Sequence, residues 1–215
     1  MIITAIERQK RRQRVNIYCE GGRFAFALAL HLAQEAGLHT DMELSQAQVD
    51  ALQEADARHS AYDAGLRLLS YRPRSETEMR RSLARRGISL PLIYETVRRL
   101  KERGYLDDEA FARFWTETRE ATSPRGRRLI LQELRTQGVN ADTAAAATAS
   151  VSDEEAAYRA ASRRLNAFRG LDYEAFRRRL GGFLVRRGFS YEVARRTMDR
   201  CWQEAGGIEG NKPQS

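Results

Sequence analysis

The chain has 215 residues, 42% of them hydrophobic and 31% charged, with 37 Lys+Arg against 29 Asp+Glu and a formal net charge of +8. That is enough apolar material for one or two domains with a real core, and no run approaches the ~18 apolar residues that predict a membrane span. The opening MIITAIERQKRR lacks the apolar stretch and small-residue cleavage site of a secretory signal, and the two distant cysteines, Cys19 and Cys201, exclude a disulfide framework and predict a reduced, cytoplasmic protein.

The charge is unevenly placed. Residues 1–56 hold 6 Lys+Arg against 8 Asp+Glu, whereas residues 57–215 hold 31 against 21, nearly all arginine. Codon bias on a solvated surface explains such a choice blandly. An anionic partner, a nucleic acid or a nucleoprotein, explains it functionally.

In chain order, residues 1–30 predict strands. Ile2, Ile3 and Ile6 precede a basic turn at 9–13. Val15, Ile17 and Cys19 then alternate with polar residues, Gly21-Gly22 supplies a tight hairpin turn, and Phe24, Phe26 and Leu28 form the return strand. A short helix follows at His31–Ala36, stopped by Gly37. Another begins at Ser45, with Val49 and Leu52 on its inner face. Residues 1–56 therefore predict a small β-hairpin region with helical additions.

From Ala57 onward the signals are helical. Ala61, Ala64, Leu68 and Leu69 carry a 3.6-residue period, which Arg72-Pro73 ends. Ser75 and Glu78 form the signature of a capping box for a helix that buries Met79 and Leu83 and stops at Gly87. Pro91 opens the next helix, whose buried stripe is Ile93, Val97 and Leu100, and Gly104 ends it. The unit then returns: LARRGI (83–88) recurs as LRTQGV (134–139) and LVRRGF (184–189), with glycines 51 and 50 residues apart. In the second copy Asp107 starts the first helix, Ser123-Pro124 the second, and an Ala-rich third runs from Asp142 to Val151. In the third copy Ser152 and Glu155 predict a capping box, Tyr158 and Leu165 belong to the first helix, and Val193, Thr197 and Cys201 to the last. Gly181-Gly182 inside the second helix predicts a kink or a close helix crossing. A period near 50 residues is the mark of a repeat architecture. The expected fold is mainly α: an elongated array of three tandem three-helix repeats (57–106, 107–151, 152–205) after the β-hairpin region (1–56), with a disordered tail (206–215).

Catalytic chemistry finds no constellation. His31, His39 and His59 have no Cys or carboxylate partners at metal-ligand spacing, no phosphate-loop motif exists, and Asp107-Asp108-Glu109 suits a helix start better than a metal. Tyr71 beside Arg72 and Arg74 has no nearby base to make it a nucleophile. Neither a cofactor nor a metal is expected. Phe111, Phe114, Trp115 and Trp202 stand at helical spacing and predict core rather than base-stacking platforms. What remains is a basic surface around each repeat's second helix and its end. Its candidates are Arg72, Arg74, Arg80, Arg81, Arg85, Arg86, Arg98 and Arg99 in the first repeat. The second contributes Arg125, Arg127 and Arg128, and the third Arg177, Arg178, Arg179, Arg186, Arg187, Arg195 and Arg196. Guanidinium forks suit phosphates and carboxylates alike.

The segments LLSYRPRSETEMRRSL (68–83), GYLDDEAFAR (104–113) and SPRGRRLILQEL (123–134) resemble the RecX regulatory family. The resemblance covers about 60–205, and the hairpin at 14–29 is similar to the N-terminal extension of longer members. The Ala-rich 141–149 and Gly181-Gly182 depart from the pattern. The resemblance implies a non-enzymatic regulator that binds in the groove of the RecA–DNA filament and dampens RecA's ATPase, strand-exchange and repressor-cleavage activities, and a monomer is expected. DNA contact would be weak and non-specific, and no membrane is involved. A helix-turn-helix transcriptional regulator is the alternative, although the third helices share few base-reading positions.

Overall fold

The computed structural model describes residues 1–168 and 170–204. The tail expected to be disordered, 206–215, lies outside them. Ten α-helices follow a small antiparallel sheet among the described residues. The chain divides into two compact units, one of Met1–Arg72 with Met79–Tyr105, the other of Pro73–Glu78 with the chain from Leu106 onward.

The sheet has three strands, β1 (Ile3–Arg8), β2 (Arg14–Cys19) and β3 (Arg23–Ala29), in the order β1-β2-β3. The expected hairpin is β2–β3. Its pairs Val15↔Leu28 and Ile17↔Phe26 put alternate apolar side chains on one buried face. Ile3 joins that face, and Ala33, Leu44 and Val49 cover it. The Gly21-Gly22 turn is a single 3₁₀ turn with both glycines at positive φ. Next come α1 (Leu30–Glu35) and α2 (Gln46–Tyr71).

The helix starting after Ser45 and the one containing Ala61 are continuous, where the sequence suggested two. Neither Gly nor Pro lies between 46 and 64 to break it, and a full capping box of Ser45 with Gln48 nucleates it. One ion pair ties α2 to the sheet. The Asp56 carboxylate accepts from Arg14 Nη1 and Nη2 at 3.0 and 2.7 Å and from the Ala29 N–H at 2.7 Å. Replacing Asp56 with Ala strands a guanidinium that keeps only 25% exposure. We expect a loss of about 3 kcal/mol in urea unfolding, at the low end for a buried pair, and a smaller loss for Asp56→Asn.

The first unit also holds α3 from Met79 and α4 (Leu90–Glu102); α3 itself spans Glu76–Ala84. Met79, Leu83, Ile93, Val97 and Leu100 are buried as their period predicts. α4 lies close on α2 at Gly65, where a Cβ would stand 2.8 Å from Leu100 Cδ1. In the second unit, α5 (Asp108–Thr122), α6 (Arg127–Thr136) and α7 (Ala141–Ala147) enclose Phe111, Ile130, Leu134, Val139 and Ala144. α8 (Asp153–Ser162), α9 (Tyr173–Arg186) and α10 (Tyr191–Glu204) enclose Phe176, Leu180, Phe183, Leu184, Met198 and Cys201. Burial pushes the Cys201 thiol up to about 11. Four alanines, Ala156, Ala157, Ala160 and Ala161, form the buried side of α8.

Four local expectations change. α6 begins at Arg127 rather than Ser123-Pro124, because Gly126 is its N-cap and the Gly126 N–H donates to the Arg187 carbonyl at 2.9 Å. α7 stops at Ala147, where the Thr148 hydroxyl turns back to the Ala144 carbonyl at 2.9 Å. Leu165 lies in a separate 3₁₀ turn, Leu165–Phe168, beyond the end of α8. The Ser152 box is half made: its hydroxyl accepts from the Glu155 N–H, while the Glu155 carboxylate lies 3.8 Å from Arg159. Gly181-Gly182 is a close crossing, since α9 continues through both and a Cβ on Gly181 would stand 3.1 Å from Met198 Sδ on α10.

Successive modules share one kind of joint, and all its atoms lie in the second unit. The Ser75 hydroxyl donates to the Gln137 carbonyl at 2.6 Å, and the Glu76 N–H donates to Asp108 Oδ1 at 2.8 Å. One module later the Gly126 N–H donates to the Arg187 carbonyl, and the Arg127 N–H donates to Asp153 Oδ1 at 2.7 Å. Each pair of neighbouring residues, Asp107-Asp108 and Ser152-Asp153, is thus divided. Asp107 and Ser152 cap their own helices, α5 and α8. Asp108 and Asp153, next in sequence, cap the second helix of the preceding module. In the third module α9 has its own cap, Asp172, accepting from the Ala175 N–H.

The glycines that end α6 and α9 complete the joint. Gly138 and Gly188 both have φ +86°, and a Cβ there would stand 2.0 Å from Thr77 Oγ1 and 2.4 Å from Leu129 Cβ respectively. Backbone and space both demand glycine. We expect Gly138→Ala to cost about 2–4 kcal/mol, through strain at positive φ and overpacking. By contrast, Gly182→Ala meets only the flexible tip of Arg186 at 3.3 Å and should gain about 0.5–1 kcal/mol from helix propensity. Thermal melts of the two variants should shift in opposite directions.

Candidate functional site

The candidate arginines fall into three groups by what their side chains touch. The first is committed to the fold. Arg125 forms an ion pair with Glu133, and Glu133 Oε2 also accepts from Arg119 Nε at 2.7 Å and Trp115 Nε1 at 2.9 Å. Arg119 in turn lies over the Trp115 ring at 4.3 Å. Arg187 donates to Ser123 Oγ at 2.6 Å and lies 5.0 Å from the Phe183 ring. Burial lowers the pKa of Arg119, Arg125 and Arg187; Arg119 and Arg187 add repulsion at Arg125, and Arg164 and Arg119 do so at Arg187. Arg74 pairs with Glu78 in a site where both side chains are mostly covered.

A second group is half engaged. Arg80 lies 4.6 Å from the centroid of Tyr94, whose ring is 60% exposed. Arg99 stacks at 4.2 Å over buried Tyr62, and Arg103 donates to that tyrosine's hydroxyl at 3.3 Å. Arg177 donates to the Tyr191 hydroxyl at 3.4 Å, which raises the Arg177 pKa. Arg85 donates to Ser82 Oγ at 3.2 Å. Arg98 and Arg196 sit in exposed i,i+4 pairs with Glu102 and Glu192, each worth only about 0.3–0.5 kcal/mol and so easily given up to a ligand. Arg72 is half-buried and Arg81 exposed.

The third group is exposed, with no side-chain partner among the described residues: Arg86 after α3, Arg127 and Arg128 on α6, Arg178, Arg179 and Arg186 on α9, and Arg195 on α10. Arg127 and Arg128 open α6, with Arg135 two turns further along the same face as Arg128; Arg128 and Arg135 line a shallow cavity of about 510 Å³. Arg135 was not a candidate. Neither were Arg11, Arg12 and Arg67, which the structure brings beside Arg86. The signal for the first two was the basic run Lys10-Arg11-Arg12, masked by the acidic balance of residues 1–56. Of the expected core aromatics, Phe111 is fully buried, Trp115 is half-buried beside it, and Trp202 packs on Phe176 and Tyr173, while Phe114 is half-buried outside the buried cluster. Among the described residues no group of three His, Cys, Asp or Glu could hold a metal, and no helix is long and apolar enough to cross a membrane.

Family models account for the modules one by one. The RecX first, second and third three-helix domains match residues 61–100, 107–147 and 152–198, and the regulatory protein RecX N-terminal domain matches 1–45. The chain belongs to the RecX family. It is 30% identical to the regulatory protein RecX of Bacillus subtilis over 206 residues, 94% of this chain and 78% of that one. It is 37% identical to the Streptomyces coelicolor protein over 144 residues, 66% of this chain and 77% of the relative. A crystal structure of regulatory protein RecX superposes with a TM-score of 0.64 at 27% identity, covering 92% of this chain and 98% of that one. RecX from Lactobacillus salivarius gives 0.56 at 25% identity, over 72% of this chain and 99% of that one.

The division of arginines is testable by stability alone. Glu133→Ala leaves Arg119, Arg125 and Trp115 without their common acceptor and should cost about 2–3 kcal/mol. Arg128→Ala and Arg178→Ala should stay within about 0.5 kcal/mol of wild type in denaturant melts.

Proposed function

We propose that this RecX chain is a non-enzymatic regulator that binds the RecA filament on DNA and slows its ATP hydrolysis, strand exchange and coprotease activity. The observation that carries the reading is the recurrence of exposed, unpartnered arginines in the second and third modules: Arg127 and Arg128, then Arg178, Arg179, Arg186 and Arg195. A fold of repeated modules offers several such grips at once. Weak contacts made in series add through effective concentration, so substoichiometric protein acts on a polymer of many subunits. Guanidinium forks meet either DNA phosphates or filament carboxylates. Family membership of the whole chain supports the same reading.

The test is a titration of single-stranded-DNA-dependent ATP hydrolysis by RecA. Wild-type protein should slow hydrolysis below one molecule per RecA. The quadruple change of Arg127, Arg128, Arg178 and Arg179 to Ala should raise the concentration for half-inhibition by tenfold or more while leaving the melt unchanged. The loss should be greater at low salt than at high salt. An unchanged rate with equimolar wild-type protein would remove the reading.

A further inference from the structure

Within the first unit, a cavity of about 800 Å³ opens where the β1–β2 turn faces α2 and the turn after α3. Arg11 and Arg12 come from the β1–β2 turn, Arg67 from α2 and Arg86 from the end of α3. All four are exposed, and none has a side-chain partner among the described residues. His31 and His59 line the same wall, edge to face at 4.3 Å. The one carboxylate in the lining is Asp63, already 3.1 Å from His59 Nε2. Arg14, also in the wall, is neutralised by Asp56.

The wall is rigid where it must be. The turn that carries Arg11 and Arg12 is closed by the Gln9 N–H donating to the Arg14 carbonyl at 3.0 Å. The Leu30 N–H donates to the Gln13 carbonyl at 2.9 Å. Arg14 Nη1 donates to Ser60 Oγ at 3.3 Å, which ties the turn to α2. Four guanidinium groups thus line one space that holds a single carboxylate, Asp63. Such repulsion persists only at some cost to stability, and an anion relieves it.

We propose that this cavity seats the sugar-phosphate backbone of a nucleic-acid strand. The basic track continues past it. A second cavity of about 410 Å³ shares Arg11, Arg12 and Gln13 and adds Arg8 and Lys10 on the other side of the turn. A continuous run of cations along a turn matches a repeating polyanion better than a single ion, because successive phosphates can each meet a fork. The lining carries no aromatic ring other than the two imidazoles, so the strand is held by its backbone and not by its base sequence. This assignment deepens the function proposed above, since it rests on DNA being part of the target, and it places a DNA grip in the N-terminal region, apart from the arginines of the second and third modules.

The experiment is fluorescence anisotropy of a labelled oligo(dT) strand with the full chain, in the absence of RecA, across a salt series. Arg11→Ala with Arg12→Ala, both in an exposed turn, should weaken binding at least tenfold at low salt. The slope of log affinity against log salt should fall by about 1.4, two contacts at ~0.7 each. Arg67→Ala should weaken binding in the same direction, and Arg11→Lys with Arg12→Lys should restore most of the salt slope. Wild-type affinity in the double Ala variant would overturn the proposal. So would a double variant that loses RecA binding without DNA yet keeps the oligonucleotide, because the partner would then be a protein. Tripolyphosphate supplies the remaining arm: if it raises the melting temperature through Arg67 while oligonucleotide affinity ignores all four arginines, the cavity holds free phosphates and the strand assignment falls. The RecA ATPase titration reads separately. Wild-type protein that fails to slow ATP hydrolysis, yet binds the strand through Arg11 and Arg12, removes the filament role and leaves the seat standing.

Discussion

The second and third modules depend on a backbone N–H at the start of one helix finding its acceptor in the next module. The first turn of a helix leaves N–H groups without intrahelical partners. At Glu76 and Arg127 those groups are satisfied by Asp108 and Asp153, acids that begin the following module. The carbonyls before Gly138 and Gly188 accept from the cap positions of the same two helices, Ser75 and Gly126. A joint made of hydrogen bonds is directional, so it ties the first residues of α3 and of α6 to the module that follows. It also explains why Pro73–Glu78 belongs with the chain beyond Leu106.

That constraint distributes the charges. An acid at a helix start stabilises the macrodipole wherever it comes from, so neighbouring residues such as Asp107 and Asp108 can serve two helices. Glu133 serves the interior instead, gathering Arg119, Arg125 and the Trp115 N–H. Asp56 does likewise for Arg14 and the Ala29 N–H. Acids consumed inside leave their formal charge in the composition but not on the surface. The N-terminal region is acidic by count, yet its β1–β2 turn is a basic surface.

Much of the candidate site was legible one residue at a time and illegible as a set. Arg127, Arg128, Arg178 and Arg179 were found because exposed arginines on the polar side of an amphipathic helix follow from its period. The same reasoning included Arg125 and Arg187, whose partners Glu133 and Ser123 are 8 and 64 residues away. Arg125 precedes α6, and Arg187 meets Ser123 across a module boundary, so only packing could show that these two are occupied. Arg11 and Arg12 were visible as a basic run, but Arg67 and Arg86 join them only because β1–β2, α2 and the end of α3 meet.

Sequence alone determined most of the helices, the glycine stops and the number of copies. Those features rest on local physics: the 3.6-residue period of Met79, Leu83, Ile93, Val97 and Leu100, and the left-handed glycines at 87, 104, 138 and 188. It also determined the family, through segments that keep their spacing. Tertiary structure decided where α6 begins and what Asp108 and Asp153 are for. It decided, too, which arginines are spent and which face solvent. Each of those outcomes turns on a hydrogen bond or ion pair between residues far apart in the chain, and no local pattern encodes the partner of a polar group.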